Sequence, residues 1–324
     1  MDIYVKKAII HQFSPDDTDL YLADKLLNIT PKIEEYLRKK IERVYSDEAR
    51  NGIFEEDNPF LEMISDDLLE TSVAVANRWK EEFVVSENQK TNDLVFIQFS
   101  KEGVDHFAFL RIALRETLTH LGGEVDNPIK LTQNNLPGFG TGADEALVIN
   151  LQSRKYHLIE KRIKYNGTFL NYFSENLLQA QPKISPKKSI KALEKTAQKI
   201  AESFNTDDFQ FQSKVKSAIF NHIEEENKLS PEKLADDLFN DNLTARLSFI
   251  DQVKEAVPEP VTFEEIDASR QLKKFENQKL SLSNGIELIV PNNVYEDAES
   301  VEFILNENGT YSILIKNIED IQSK

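Results

Sequence analysis

The 324-residue sequence predicts an α+β protein with an N-terminal antiparallel sheet and helices, a central helical region and a small β-rich C-terminal unit. Three observations lead there. Between residues 94 and 112 two apolar runs flank a Lys101-Glu102-Gly103-Val104 turn, the pattern of a β-hairpin. Between 190 and 256 apolar residues recur at helical spacing. Past Pro258-Glu259-Pro260, which reads as a linker, short apolar runs are separated by Asn-Gly turns. The expected division is 1–152 for the α+β domain, 153–257 for a basic segment and helical domain, and 258–324 for the β-rich unit.

In chain order, 3–13 reads as a strand, and Asp16-Asp17-Thr18-Asp19 as a polar turn before a short apolar run at 20–27. Thr30-Pro31 opens a helix, because a hydroxyl can cap free amides and proline suits the first turn. Ile33, Leu37, Ile41 and Val44 form its apolar face, and Asn51-Gly52 ends that unit. Two further helices are expected up to about residue 82, with Trp79, the lone tryptophan, as a core anchor. Strands follow at 129–132 and 146–151.

In the helical region Ile190, Leu193, Ala197, Ile200, Ala201 and Phe204 share one face. A helix from 208 to 226 turns Phe211, Val215, Ile219 and Ile223 inward, Pro231 starts another, and 244–256 makes one more. Strands at 280–282, 286–290, 301–305 and 311–315 close the order, with turns at Ser283-Asn284-Gly285 and Asn306-Glu307-Asn308-Gly309.

Composition narrows the class. With 40% hydrophobic and 29% charged residues the chain is globular, not disordered. No apolar run approaches the ~20 residues that span a bilayer, and the opening MDIYVKKAII lacks a signal peptide's apolar core. A cytoplasmic protein without membrane partners is expected, so the sequons at 166–168 and 308–310 carry little weight. The absence of cysteine excludes disulfides, thiolate zinc sites and a cysteine nucleophile.

Charge is the least even property. The chain carries a net −17, yet residues 153–200 hold 11 Lys/Arg against 3 Asp/Glu, a local +8 between flanks of −12 and −13. One reading is a surface for a polyanion, where lysine and arginine release condensed counterions from phosphates. The other is a run of solvated helix faces that neutralises the acidic flanks. Lys187, Lys191, Lys195 and Lys199 stand four apart, a ladder of about 18 Å at ~1.5 Å per residue. Like charges so spaced destabilise a helix by a few tenths of a kcal/mol per pair, which folding alone would not select. Overall acidity repels phosphate beyond a Debye length of about 8–10 Å, so contact with DNA must be local and salt-sensitive. Tyr156, Tyr165, Phe169, Tyr172 and Phe173 interleave with the basic run, as a stacking surface would need. Phe169, Tyr172 and Phe173 also fit the core face of a helix.

Chemistry-bearing motifs are absent. Gly138-Phe139-Gly140-Thr141-Gly142 has the glycines of a phosphate loop, but a strand-like segment follows where a helix is needed, so it reads as a mobile connection. His11, His106, His120, His157 and His222 show no metal spacing, and Asp105-His106 has no nucleophile motif beside it. Acid pairs such as Asp66-Asp67 and Asp236-Asp237 arise by chance among 56 carboxylates. No catalytic residue, metal site or cofactor is assigned, and no enzyme is expected.

The order of several segments resembles a family, the bacterial nucleoid-associated proteins of about 37 kDa. The segments are Ala8-Ile9-Ile10-His11, Arg43-Val44-Tyr45-Ser46 with Gly52-Ile53-Phe54, and the hairpin of 95–114. Leu158-Ile159-Glu160-Lys161-Arg162 leading to Phe169-Leu170-Asn171-Tyr172-Phe173 and a β-rich end from about Asp267 and Arg270 complete the likeness. This chain departs at Lys164-Tyr165-Asn166-Gly167, where relatives have a Gly-Arg-rich turn before an aromatic helix, and at Leu178, where a glycine often ends that helix. The resemblance implies a cytoplasmic protein found with the bacterial chromosome, with no assigned reaction or cofactor. From the charge map, Arg154, Lys155, Lys161, Arg162, Lys164, Lys187, Lys191, Lys195 and Lys199 are expected to meet DNA phosphates without base readout. A homodimer is expected, because it doubles the patch and lets the acidic lobes point away. A second reading is an acidic adaptor recruited by a DNA-acting protein, and a third is a metal-dependent nuclease.

Overall fold

In the first part of the chain the apolar runs are long because both faces of one sheet are covered. A computed structural model describes all residues except 17–18, 85–89, 121–128, 166, 207–208, 264 and 323–324. It divides into two units, Met1–Ser185 and Pro186–Lys324. Two residues of the expected turn at 16–19, Asp17 and Thr18, lie outside the described ones, as do Asn166 and Asp208.

Unit one is built from β1 (Ile3–Ser14), β2 (Asp19–Tyr21), α1 (Pro31–Glu42), β3 (Arg50–Ile53), α2 (Pro59–Glu62), α3 (Leu68–Phe83), β4 (Asn92–Lys101) and β5 (Val104–Ala113). β6 (Arg115–His120), β7 (Ile129–Asn135), β8 (Glu145–Asn150) and β9 (Lys155–Ile159) follow, then a small ribbon of β10 (Ile163–Tyr165) and β11 (Thr168–Leu170). The main sheet runs β2-β1-β4-β5-β8-β9-β3, and every neighbouring pair is antiparallel. Alternation along β4 sends Leu94 and Phe96 to a core shared with α3, and Val95, Ile97 and Phe99 to a second core shared with α1. Coverage of both faces explains why the strand reads as a continuous apolar run. The turn between β4 and β5 holds Glu102 at φ 54° and Gly103 at φ 83°, the two left-handed residues that fit a tight hairpin.

Several local expectations change. Thr30 makes no side-chain cap; its carbonyl accepts from Glu34 N instead, while Asp67 Oδ1 does cap α3. Asn51-Gly52 does not end the unit but lies inside β3, where Gly52 opposes Tyr156. A Cβ there would sit 2.4 Å from the Tyr156 hydroxyl, so only glycine lets the ring lie flat on the strand. Segment 169–173 is not a helix: Phe169 belongs to β11, and a π-turn at Phe173–Leu177 follows. β6 was not legible and pairs with β7 as a separate ribbon.

Unit two opens with α4 (Pro186–Ser203), α5 (Phe209–Glu226), β12 (Lys228–Leu229), α6 (Pro231–Leu238) and α7 (Leu243–Lys254). β13 (Val261–Thr262), α8 (Ser269–Phe275) and the ribbon of β14 (Asn277–Ser281) and β15 (Glu287–Pro291) come next. α9 (Asn292–Tyr295) leads to a ribbon of β16 (Val301–Leu305) and β17 (Tyr311–Ile315). The contiguous core draws Leu193 and Ala197 from α4, Ile219 from α5 and Phe249 from α7. The positions expected to separate domains both fall inside a unit. β9, just past 152, completes the main sheet, and β13, just past Pro258-Glu259-Pro260, pairs with β12 while Val257 and Phe263 enter the helical core.

At the centre of unit one lies a buried charge cluster. Arg111 and Glu145 are directly paired across β5 and β8, with Arg111 Nε 2.7 Å from Glu145 Oε2. Arg111 Nη1 also donates to Asn92 Oδ1 of β4, at 2.9 Å. The Tyr172 hydroxyl donates to Glu145 Oε2 and accepts from Trp79 Nε1 of α3, at 3.0 Å. Burial opposes the Arg111 charge, and the adjacent Glu145 carboxylate more than offsets it, so its pKa is raised. Glu145→Gln leaves that guanidinium buried without its counter-charge, with an expected loss of roughly 3 kcal/mol or more. Chemical denaturation followed by Trp79 fluorescence reads unit one alone, and a loss below about 1 kcal/mol contradicts the assignment.

His11 of β1 is buried against α3. Ala23 N donates to its Nδ1 at 3.0 Å, so the ring proton is on Nε2, 2.9 Å from Ser72 Oγ. Burial pulls the pKa below the ordinary 6.5. The unfolded chain therefore binds the proton first as pH falls, and the contribution of His11 is complete above about 6.5 and declines below it. Stability of unit one is expected to fall on acidification below that pH, less steeply in His11→Gln; identical slopes contradict this.

Candidate nucleic-acid interface

The basic stretch crosses the division at Ser185/Pro186, so its charges fall in two clusters on separate units. In unit one Arg154 is a left-handed residue (φ 59°) in the turn joining β8 to β9, and its Nη1 lies 3.4 Å from Glu56. Lys155 is exposed at the start of β9, and Lys164 is exposed on β10 opposite Phe169. Arg162 Nη2 donates to Phe169 O at 2.7 Å, closing the ribbon of β10 and β11. Lys161 is 2.7 Å from Asp144. Burial raises the Asp144 pKa, but bonds from Lys161 and Ala113 N and the nearby Arg111 outweigh it and hold the carboxyl below its usual range. Arg154 and Lys161 therefore already face carboxylates.

In unit two the four-residue ladder is carried by α4. Pro186 stands in the first turn, and Ile190, Leu193, Ala197 and Ile200 are buried, which fixes the opposite flank outward. Lys187, Lys191, Lys195 and Lys199 are all exposed. Lys199 Nζ donates to Gln252 Oε1 of α7 at 3.1 Å, a neutral partner. Glu194, the acid within the ladder, is 3.3 Å from Lys274 of α8. Among the described residues, Lys191 and Lys195 have no carboxylate within ion-pair distance.

The aromatic residues divide. Tyr156, Tyr172 and Phe173 are core, and Phe169 is exposed; the Tyr165 side chain lies outside the described ones. Among the described residues of this set only Phe169 remains as a stacking surface beside the unit-one lysines.

The glycine cluster has a role that sequence reasoning missed. Its carbonyls turn inward and surround Lys40 of α1, whose Nζ donates to Gly138 O at 2.9 Å and Thr141 O at 2.5 Å. Tyr36 donates to Pro137 O at 3.0 Å, and the Lys40 ammonium also lies over the Tyr36 ring. Burial, with Arg43 and Arg115 adding repulsion, pulls the Lys40 pKa down to about 8. This loop holds a cation with its carbonyls, the opposite of an anion cradle. The weak signal was Lys40 itself, one member of a Lys39-Lys40 pair on the flank of an amphipathic helix. Among the described residues no group of three His, Cys, Asp or Glu is placed to hold a metal ion, and no helix is long and apolar enough to cross a membrane.

Together the fold and the basic helix define a class: a two-unit α+β protein that presents a lysine ladder on an otherwise acidic chain. A family model described as Nucleoid-associated protein YejK matches residues 9–321, and the chain belongs to that family. The match covers nearly all of the segments that carried the resemblance. No curated protein matches the chain.

Lys40→Met removes the donor that the carbonyls of Pro137, Gly138 and Thr141 share, with an expected loss of about 2 kcal/mol. Proteolysis within 137–142 should accelerate, and unchanged cleavage there contradicts the cage.

Proposed function

We propose that the protein binds DNA without sequence preference, through phosphate contacts made chiefly by Lys187, Lys191, Lys195 and Lys199. The observation that carries this reading is the freedom of Lys191 and Lys195 from carboxylates among the described residues while Glu194 is occupied by Lys274. Lysines so placed keep their condensable charge for a polyanion, and a helix flank holding only ammonium groups reads backbone, not base edges. Lys155, Arg162 and Lys164 form a second, smaller contact on unit one. Arg154 and Lys161 contribute less, because each must give up a carboxylate neighbour. Membership of a nucleoid-associated family supports the reading, and dimerisation would double the number of ladders.

The adaptor reading rests on the net charge of −17, which suits basic protein partners better than DNA. Salt dependence separates the two. Four phosphate contacts imply log K falling with log salt at a slope of about −3.6. Replacing all four ladder lysines with Glu is expected to abolish DNA retention at low salt while leaving the helical far-ultraviolet circular dichroism in place. Unchanged retention refutes the ladder, and no binding by the natural chain at about 50 mM salt favours the adaptor.

A further inference from the structure

The turn that cages Lys40 has an outer side with a different chemistry. Thr141 N donates to Gly138 O at 3.0 Å, which closes a four-residue turn with Phe139 and Gly140 at its tip. Phe139 is 44% exposed, and its ring meets Tyr36 of α1 edge to face, with centroids 5.4 Å apart. The turn is held from beneath, because Tyr36 donates to Pro137 O and Lys40 to Gly138 O and Thr141 O. An aromatic ring on the tip of a held turn buries little of its surface on folding, so packing gives a weak reason for it. The glycines around it are no better explained by the fold. Gly138, Gly140 and Gly142 are not left-handed, and a Cβ at Gly138 or Gly140 would meet nothing within 4 Å. They leave bare backbone on both sides of the ring, as close approach of a ligand requires.

Two arginines flank the turn. Arg43 follows Lys40 by three residues, and a Cβ at Gly142 would sit 3.7 Å from its Cδ. Arg115 opens β6 opposite Asn135, which stands two residues before Pro137. Both are exposed, and neither has an ion-pair partner among the described residues. Of the nearby carboxylates, Glu42 is engaged by Arg38 and Lys39, Asp144 by Lys161 and Ala113 N, and Glu116 by Gln133. On a chain of net −17 an aromatic tip between two unpaired guanidinium groups is a local exception. A strand of unpaired bases fits it: one base stacks on the ring, and the phosphates before and after that base meet the charges. A duplex keeps its bases stacked on one another and offers the tip no free face.

We propose that this turn is a single-stranded DNA site, in which Phe139 stacks on one base while Arg43 and Arg115 hold the adjoining phosphates. It rests on the reading that the protein binds DNA, and adds a contact with unpaired strands carried by unit one, apart from the α4 ladder of unit two. Lys40 is a positioning residue: it sets the turn and touches no nucleotide.

Fluorescence anisotropy on the full chain, with an oligo-dT and a duplex of equal length at about 50 mM salt, tests this. The natural chain is expected to bind both. Phe139→Leu keeps an apolar side chain but removes the π face, and should weaken oligo-dT binding about tenfold while leaving the duplex within about twofold. Phe139→Trp should bind oligo-dT at least as tightly as the natural chain. Arg43→Gln with Arg115→Gln should make the slope of log K against log salt on oligo-dT shallower by about 1.4, the share of two phosphates. No oligo-dT binding by the natural chain, unchanged affinity in Phe139→Leu, an equal loss on both substrates or an unchanged slope overturns the site. Failure of the ladder reading shows separately, as duplex retention that survives replacement of Lys187, Lys191, Lys195 and Lys199 with Glu.

Discussion

Unit one depends on a charge pair that solvent does not reach. Arg111 and Glu145 face each other across the centre of the main sheet, and each extends the bond to another element: Asn92 on β4, Tyr172 before the π-turn, Trp79 on α3. Two ions removed from water recover that loss only when geometry and additional hydrogen bonds are good. Here the supporting donors come from segments far apart in sequence, so the Glu145 Oε2 side of the pair gathers its bonds only when sheet, helix and turn are all in place. It therefore acts as a register check on the fold. Around it Phe96 and Phe109 stack at 4.8 Å and Phe13 meets the Trp79 edge at 5.5 Å, supplying the apolar burial that such a pair cannot.

A second buried carboxylate follows the same logic at the sheet edge. Glu160, beyond β9, accepts from Arg50 of β3 and from Ser174 N at 3.0 Å and Ser174 Oγ at 2.8 Å. Arg50 also donates to Pro182 O at 2.8 Å, tying down the chain that leads out of unit one. Residues 153–185 thus belong to unit one. Their lysines and arginines are the polar fringe of a folded edge, and the ladder beyond Pro186 is a different object on a different unit.

How much was legible turns on whether a feature is local. The hairpin of β4 and β5 could be read because its turn chemistry and apolar runs lie within about 20 residues. The α4 face could be read because helical periodicity is a property of neighbours in sequence. The Arg111–Glu145 pair could not, because it exists only once the register of β5 on β8 is set. Gly52 looked like a terminator, and its reason is the Tyr156 ring, a partner on a strand about 100 residues away. The basic run suggested one strip because charge was summed along the chain, whereas the unit boundary at Ser185/Pro186 assigns its charges to two units and two ion pairs engage part of them. That boundary did leave a signal, since Ser-Pro is a common helix opening. Lys40 illustrates the converse: it is a lysine on an amphipathic helix that reads as solvent-facing and proves to be caged by carbonyls.

The central functional claim is that the α4 lysines, and not the lysines of the chain at large, meet the polyanion. Lysine acetylation footprinting by mass spectrometry, with and without duplex DNA at low salt, measures each ammonium separately. The account expects Lys191 and Lys195 to react freely alone and to be protected by DNA, while Lys40 stays unreactive in both conditions. Equal modification of Lys191 and Lys195 with and without bound DNA would contradict it.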